Sequence, residues 1–250
     1  MIRFEVEGAV ATVAFNRPEK KNAITAAMYQ SAAGALKEAG ANDDVRVIVI
    51  TGDGACFTAG NDLEDFLQSP PQGDDSPVMQ FMNALRTTAK PIIAAVPGIA
   101  IGIGTTLLMH CELVYAANSA KFAMPFTQLG LCPEFASSVL LPRIAGYQRA
   151  AEKLMLGEPF DAAEAEKMGL VNRVLPADEL TPFVHAQALK LAALPSESLR
   201  VTKQLMKVDL QTPVAAAMLT EMQHFQRMLN GPDAKEAFSA FLQKRKPVFR

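Results

Sequence analysis

One carboxylate of this chain stands in an apolar setting. Glu134 lies in Leu131-Cys132-Pro133-Glu134-Phe135, with Phe126, Leu129 and Val139 close by in sequence. Burial there would disfavour the charged form and raise the carboxyl pKa, which suits a general base near neutral pH. The same Pro-Glu pair also reads as a plain helix start, where proline fits the first turn and glutamate complements the dipole. Two glycine-bearing stretches each follow an apolar run and open a helix: Phe57-Thr58-Ala59-Gly60-Asn61-Asp62 and Gly98-Ile99-Ala100-Ile101-Gly102-Ile103-Gly104. Such loops present free backbone N–H groups, backed by the helix dipole. Two converging N–H groups would make an oxyanion hole. Glycines that serve only tight turns would give the same spacing.

Other chemistries lack their residues. No GxSxG, HExxH or Walker loop is present. Gly102-Ile103-Gly104 hints at a dinucleotide loop, but Leu107 holds the third glycine position and no acid ends a strand about 20 residues later. His110, His185 and His224 are scattered, and His110 reads as a satisfied core residue. Cys56, Cys111 and Cys132 form neither a zinc pattern nor a disulfide framework, which suits a reducing compartment. No metal and no separate cofactor is expected.

The elements that position these loops follow from apolar patterning. Short strands are predicted over 2–7 and 9–15, and a helix capped by Thr25 runs to about residue 39. VRVIVIT (45–51) reads as a strand covered on both faces. A helix near 78–88 leads to a strand over 92–96, and further strands are expected at 112–117 and 121–124. QSPPQGDDSP (68–77) reads as a mobile loop. After residue 134 the pattern is mostly amphipathic helix, with Ala215, Met218, Met222 and Phe225 on one stripe. This is an α/β chain with a helical tail, divided near Pro195 into a 1–195 core and a 196–250 helical region.

The chain has 250 residues, enough for one large domain with its own core. Half of it is apolar and the formal charge is −2 without charged blocks, so nucleic acid and anionic membranes are not expected partners. The charge-free stretch 91–111 has the length of a spanning helix, but Pro91, Pro97, Gly98, Gly102 and Gly104 break it into a strand, a turn and a helix. MIRFEVEG has no signal-peptide character and Val-Phe-Arg at the end is no peroxisomal address, so a cytoplasmic location is the default expectation.

Taken together, seven segments resemble the crotonase (enoyl-CoA hydratase/isomerase) superfamily in its own order. They are NRPEKKNAIT (16–25), FTAGND (57–62), KPIIAAVPGIAIGIGTTL (90–107), AKF (120–122), GLCPE (130–134), LGEPFDAAEAEKMGLVNRV (156–174) and AFLQKRKPVF (240–249). The resemblance implies a spiral of ββα turns with a C-terminal helical trimerisation region, and hence a homotrimer or homohexamer. It implies a coenzyme A thioester as substrate. It places the oxyanion donors at the backbone N–H groups of Asn61 and Ile103. It assigns CoA-ester contacts to Lys21, Asn22, Ala23, Ala59, Gly60, Asp62, Leu63, Gly102 and Phe126, with Lys246 assisting from the C-terminus.

Departures from the family pattern select among reactions. The two positions where the family's hydratases carry glutamates hold Thr106 and Phe126. Glu112 imitates the first of these motifs six residues too late. Glu134 matches instead the single glutamate of the peroxisomal-type 3-enoyl-CoA isomerases, with Ser137-Ser138 following closely. The implied activity is conversion of 3-enoyl-CoA to trans-2-enoyl-CoA in fatty-acid oxidation. Another crotonase reaction run from Glu134, a hydratase, and a non-catalytic acyl-CoA-binding module are the alternatives.

Overall fold

A strand that alternates between two apolar cores needs no polar face, and the central strands here do this. In β3 (Val47–Gly52), Ile48 and Ile50 enter one core, while Val47 and Val49 enter another. The same split recurs in β5 (Ile92–Val96) and β7 (Leu113–Ala117), where Ala94 and Val114 face one side and Ala95 and Tyr115 the other. Continuous apolar runs are therefore what a doubly covered parallel sheet requires. The computed structural model describes residues 1–68, 73 and 75–249. Half of the expected mobile loop at 68–77, residues 69–72 and 74, lies outside these residues.

The large sheet has the order β1-β2-β3-β5-β7-β10, with β1 (Ile2–Glu7) antiparallel to β2 (Val10–Phe15) and the other neighbours parallel. A second sheet stands beside it in the order β4-β6-β8-β9, made of β4 (Cys56–Thr58), β6 (Ile99–Ile101), β8 (Lys121–Ala123) and β9 (Phe160–Asp161). After the β1-β2 hairpin, the pairs β3-β4, β5-β6 and β7-β8 each give one strand to each sheet before a helical segment carries the chain on, so the fold is a ββα spiral. β10 (Arg173–Leu175) closes the large sheet. Passing between sheets demands close backbone approach at Gly98, where a Cβ would collide with the Ala55 carbonyl oxygen.

Helices cover both faces of the large sheet. α1 (Ala26–Ala41) starts at the expected cap, with Thr25 Oγ1 accepting the Met28 N–H at 3.3 Å. α1 packs on α3 (Pro77–Thr87) over one face, with α2 (Leu63–Gln68) ahead of it. α4 (Ile103–Thr106) follows β6 directly. Then come α5 (Ser137–Ala145), α6 (Tyr147–Leu156) and α7 (Ala162–Met168). α8 (Ala177–Ala192) covers the opposite face through Leu180, Val184, Ala188 and Ala192. α9 (Ser196–Lys207), α10 (Gln211–Leu229) and α11 (Pro232–Leu242) complete the chain.

The 91–111 stretch forms β5, β6 and α4 with the helical turn after it, and among the described residues no helix is long and apolar enough to cross a membrane. Two strands, β9 and β10, appear in the region where the sequence pattern predicts mostly helix. At two and three residues they are too short to show a period. The α10 stripe also turns out differently. Val214, Met218 and Glu221 are its buried positions, while Ala215 is exposed.

The loop before α1 is held by one amide. Asn22 is fully buried at positive φ, a conformation asparagine tolerates. Its Oδ1 accepts the Arg17 N–H at 2.7 Å, and its Nδ2 donates to the carbonyls of Asp53 and Cys56 at 3.0 and 2.8 Å. Asn22→Ala should lower stability by about 1–3 kcal/mol, because buried partners lose their bonds. Urea unfolding that matches wild type would refute that role.

Candidate active site

β4 and β6 are parallel neighbours, so the loops after them leave the sheet side by side. Gly60, at the end of the first loop, has φ +86, and a Cβ there would sit 2.8 Å from the Ile101 carbonyl. The Asn61 N–H is aimed by its neighbours. Ile24 donates its N–H to the Gly60 carbonyl at 2.8 Å and accepts the Asp62 N–H at 2.9 Å. The intervening Asn61 N–H therefore turns the other way, and among the described residues it has no protein acceptor. Its side chain is tethered separately, as Tyr29 donates its hydroxyl to Asn61 Oδ1.

The second donor arises at a helix start. Gly102, with φ +57 and ψ −119, takes a conformation open to glycine and donates its N–H to Ala123 at 2.9 Å. Its carbonyl accepts the N–H groups of Thr105 and Thr106 at 2.9 and 3.0 Å. Ile103 is thus the first residue of α4, and its N–H is unpaired among the described residues. Asn61 and Ile103 both line an outer cavity of about 580 Å3, and Asn61 also lines an inner pocket of about 60 Å3. Phe66 and Phe225 are shared walls of the two.

Glu134 lines the inner pocket among Phe66, Val78, Met79, Met82, Met218, Met222 and Phe225. The residue keeps some contact with the pocket's solvent, but its carboxyl is packed around by protein, and that enclosure governs its ionisation. Burial pushes it up to about 8, the Glu221 charge adds to the rise, and the Thr106 hydroxyl pulls against it. Thr106 Oγ1 lies 2.7 Å from Glu134 Oε1 and 3.5 Å from the Ile103 carbonyl. A hydroxyl can donate to an ionised carboxylate or accept from a protonated one. The Thr106 contact therefore suits Glu134 in either state, as a group that takes and returns a proton requires.

The other expected residues divide cleanly. Ala23, Ala59, Gly60, Asp62, Leu63, Gly102 and Phe126 line the outer cavity. Lys21 and Lys246 do not; Lys20 stands at the cavity wall instead, and the C-terminal side is formed by Phe241, Leu242 and Pro247. Asn22 does not line the cavity either; its buried amide bonds Arg17, Asp53 and Cys56 and holds the loop. Asp62 spends its carboxylate on Arg17 Nη1 at 2.6 Å and on the first N–H groups of α2. His110 is a satisfied core residue. Its Nε2 donates to the Phe135 carbonyl at 2.8 Å, its ring stacks on Phe135, and burial lowers its pKa to about 3. Glu112 is structural, pairing with Lys203 at 2.9 Å and with Lys207. Among the described residues no group of three or more His, Cys, Asp or Glu side chains could hold a metal ion.

Glu221 and Tyr29 were not singled out by sequence reasoning. Glu221 interrupts the Met218–Met222–Phe225 stripe, and an acid on an apolar helix face is the signal that points to it. The pocket also draws on both parts of the chain, since α10 supplies Met218, Glu221, Met222, Phe225 and Gln226.

Comparison with known proteins is consistent along the whole chain. The sequence pattern described as enoyl-CoA hydratase/isomerase matches residues 5–250. A protein named probable enoyl-CoA hydratase echA8, from Mycobacterium leprae (strain TN), is 34% identical over 96% of this chain and 94% of its own. Enoyl-CoA delta isomerase 2 of Rattus norvegicus is 38% identical over 80% of this chain, which corresponds to 53% of that longer protein. The solved structure of Pseudomonas aeruginosa OdaA superposes with a TM-score of 0.94 at 45% identity, covering 96% of this chain and 98% of that one.

Removing the Thr106 hydroxyl should move the Glu134 titration to higher pH, because the hydroxyl favours the charged form. Carboxyl infrared or carbon-13 NMR titration of Thr106→Val against wild type checks this. A midpoint that stays put or falls would contradict the assignment.

Proposed function

The chain belongs to the enoyl-CoA hydratase/isomerase family, and we propose that within it this protein moves a double bond from the 3 to the 2 position of an enoyl-CoA ester. The carrying observation is that, among the described residues, Glu134 is the one carboxylate of the inner pocket not held by several hydrogen-bond donors. Glu134 titrates near 8 with Thr106 beside it, whereas Glu221, the other acid, accepts hydrogen bonds on both oxygens. Thr106 and Phe126 occupy the positions where the family's hydratases carry their two glutamates, so a water would lack its pair of acids. The name of the rat relative supports the same reading, while that of the mycobacterial relative favours hydration as the second.

In this reading the coenzyme A part lies in the outer cavity with Lys20 at its wall, and the acyl chain enters the inner pocket. Ionised Glu134 takes a proton from C2. The electron pair spreads over C2, C3 and C4 as the thioester oxygen becomes a dienolate oxyanion. The N–H groups of Asn61 and Ile103 bind that oxygen in a site largely closed to water, where fixed donors act most strongly. Glu134 then returns its proton to C4, which leaves the double bond between C2 and C3. The shift needs no added water.

Glu134→Gln keeps the shape but cannot accept a proton, so isomerisation should fall by about 10²–10⁴-fold while ester binding stays similar. For the wild type, kcat/KM should rise with pH and level off above about 8, because the base must be ionised. Parallel assays with 3-enoyl and trans-2-enoyl esters decide the reading. Rapid wild-type hydration, or isomerisation that survives in Glu134→Gln, would overturn it.

The assembly proposed is a trimer or a dimer of trimers. Leu205 and Met206 on α9 are 66% and 63% exposed, and Val201 and Val208 extend the same apolar surface. Light scattering should give a multiple of three times 26.9 kDa, and a stable monomer at micromolar concentration would count against it.

A further inference from the structure

The turn carrying Glu134 is held from outside itself. Phe135 and Ala136 are consecutive non-glycine residues in the left-handed region, at φ 57 and 56. Such backbone is strained and persists only where its surroundings fix it. Glu221, reaching in from α10, provides much of that fixing. The Ala136 N–H donates to its Oε2 at 2.6 Å, the Ser138 N–H to its Oε1 at 3.1 Å, and the Ser138 hydroxyl also to Oε1. His110 holds the neighbouring Phe135 carbonyl from the opposite side. Both Glu221 oxygens accept at once, an arrangement that suits an ionised carboxylate best.

Resting on the reading of Glu134 as the proton shuttle, we infer that Glu221 is its positioning residue: a fixed carboxylate on α10 that locks the left-handed turn and aims Glu134 into the pocket. Charge supports the geometry. Burial raises both carboxyl groups, but Glu221 is offset by three donors and Glu134 by one hydroxyl. Hydrogen bonding thus favours the charged form more at Glu221 than at Glu134. The other titratable groups facing Glu134 stay neutral. Tyr29 from α1 is pushed well above its ordinary value by burial, Cys132 on the same loop is pushed up to about 11, and His110 lies behind Phe135 in its neutral form. Among the described residues, Glu221 is thus the carboxylate whose charge raises the Glu134 pKa.

The test uses the full-length protein with 3-hexenoyl-CoA, following exchange of the C2 hydrogens with deuterium from solvent. Glutamine cannot accept on both sides of its amide, so Glu221→Gln loosens the turn and removes the charge. Its exchange kcat should fall about 10–100-fold with KM little changed. The acid limb of its pH profile should move to lower pH, since a like charge has left. A merely structural role would lower the melting temperature without moving that limb. A Glu221→Gln protein that keeps both kcat and limb overturns the inference. Should it fail to fold, Ser138→Ala removes one donor only; a several-fold lower kcat at unchanged KM supports the inference, and wild-type kcat overturns it. Glu134→Gln run in parallel separates the two ideas, because exchange surviving there sinks the reading of Glu134 itself.

Discussion

The parallel pairing of β4 with β6 is the constraint on which the site depends. It places two strand ends side by side, so the loops that follow must abut, and their free N–H groups come to share one cavity. The approach is close enough that side chains are excluded: Gly60 faces the Ile101 carbonyl, and Gly98 faces that of Ala55. The glycines of these loops are therefore required by packing between the strands as much as by turn geometry.

A second layer of support comes from hydrogen bonds that tie these loops to the rest of the fold. Asn22 ties Arg17 to the β3–β4 connection, Ile24 clips the Asn61 loop from both sides, and Tyr29 steadies the Asn61 side chain. These groups turn a flexible-looking loop into a rigid one, and rigidity is what allows a hydrogen-bond donor to stabilise charge without reorganising. From α9, Lys203 and Lys207 anchor on Glu112 beside β7, while α10 closes the inner pocket with methionines that adapt to irregular shapes. The helical region is part of the site as well as an expected contact surface.

Much of this was legible in sequence because the relevant signals are local. Val47 to Ile50 announces a doubly covered strand, Thr25 a helix cap, and Pro133-Glu134 among apolar neighbours a carboxylate of unusual pKa. Long-range placement was less accessible. Nothing near Lys20 and Lys21 shows which of two adjacent lysines faces the cavity, since a left-handed turn at Lys21 and Asn22 decides it. Phe160–Asp161 and Arg173–Leu175 are strands only because β8 and β7 offer them edges. Glu221 lies 87 residues from Glu134, and its partner turn becomes visible only when α10 has packed on α5.

The Thr106 hydroxyl has a consequence for direction. It meets Glu134 as a donor when the carboxylate is charged, which is the state it favours, and it can turn to accept when the carboxyl is protonated. Because the hydroxyl can pair with both states, the same Glu134 serves the forward and the reverse transfer, and as for any catalyst the net direction is set outside the site. In the proposed reaction the enzyme would lower the barrier equally for both isomers, and the ratio of the two esters in solution would set the net flow. The site would behave as an equilibrator, with its throughput steered by whatever removes the 2-enoyl product.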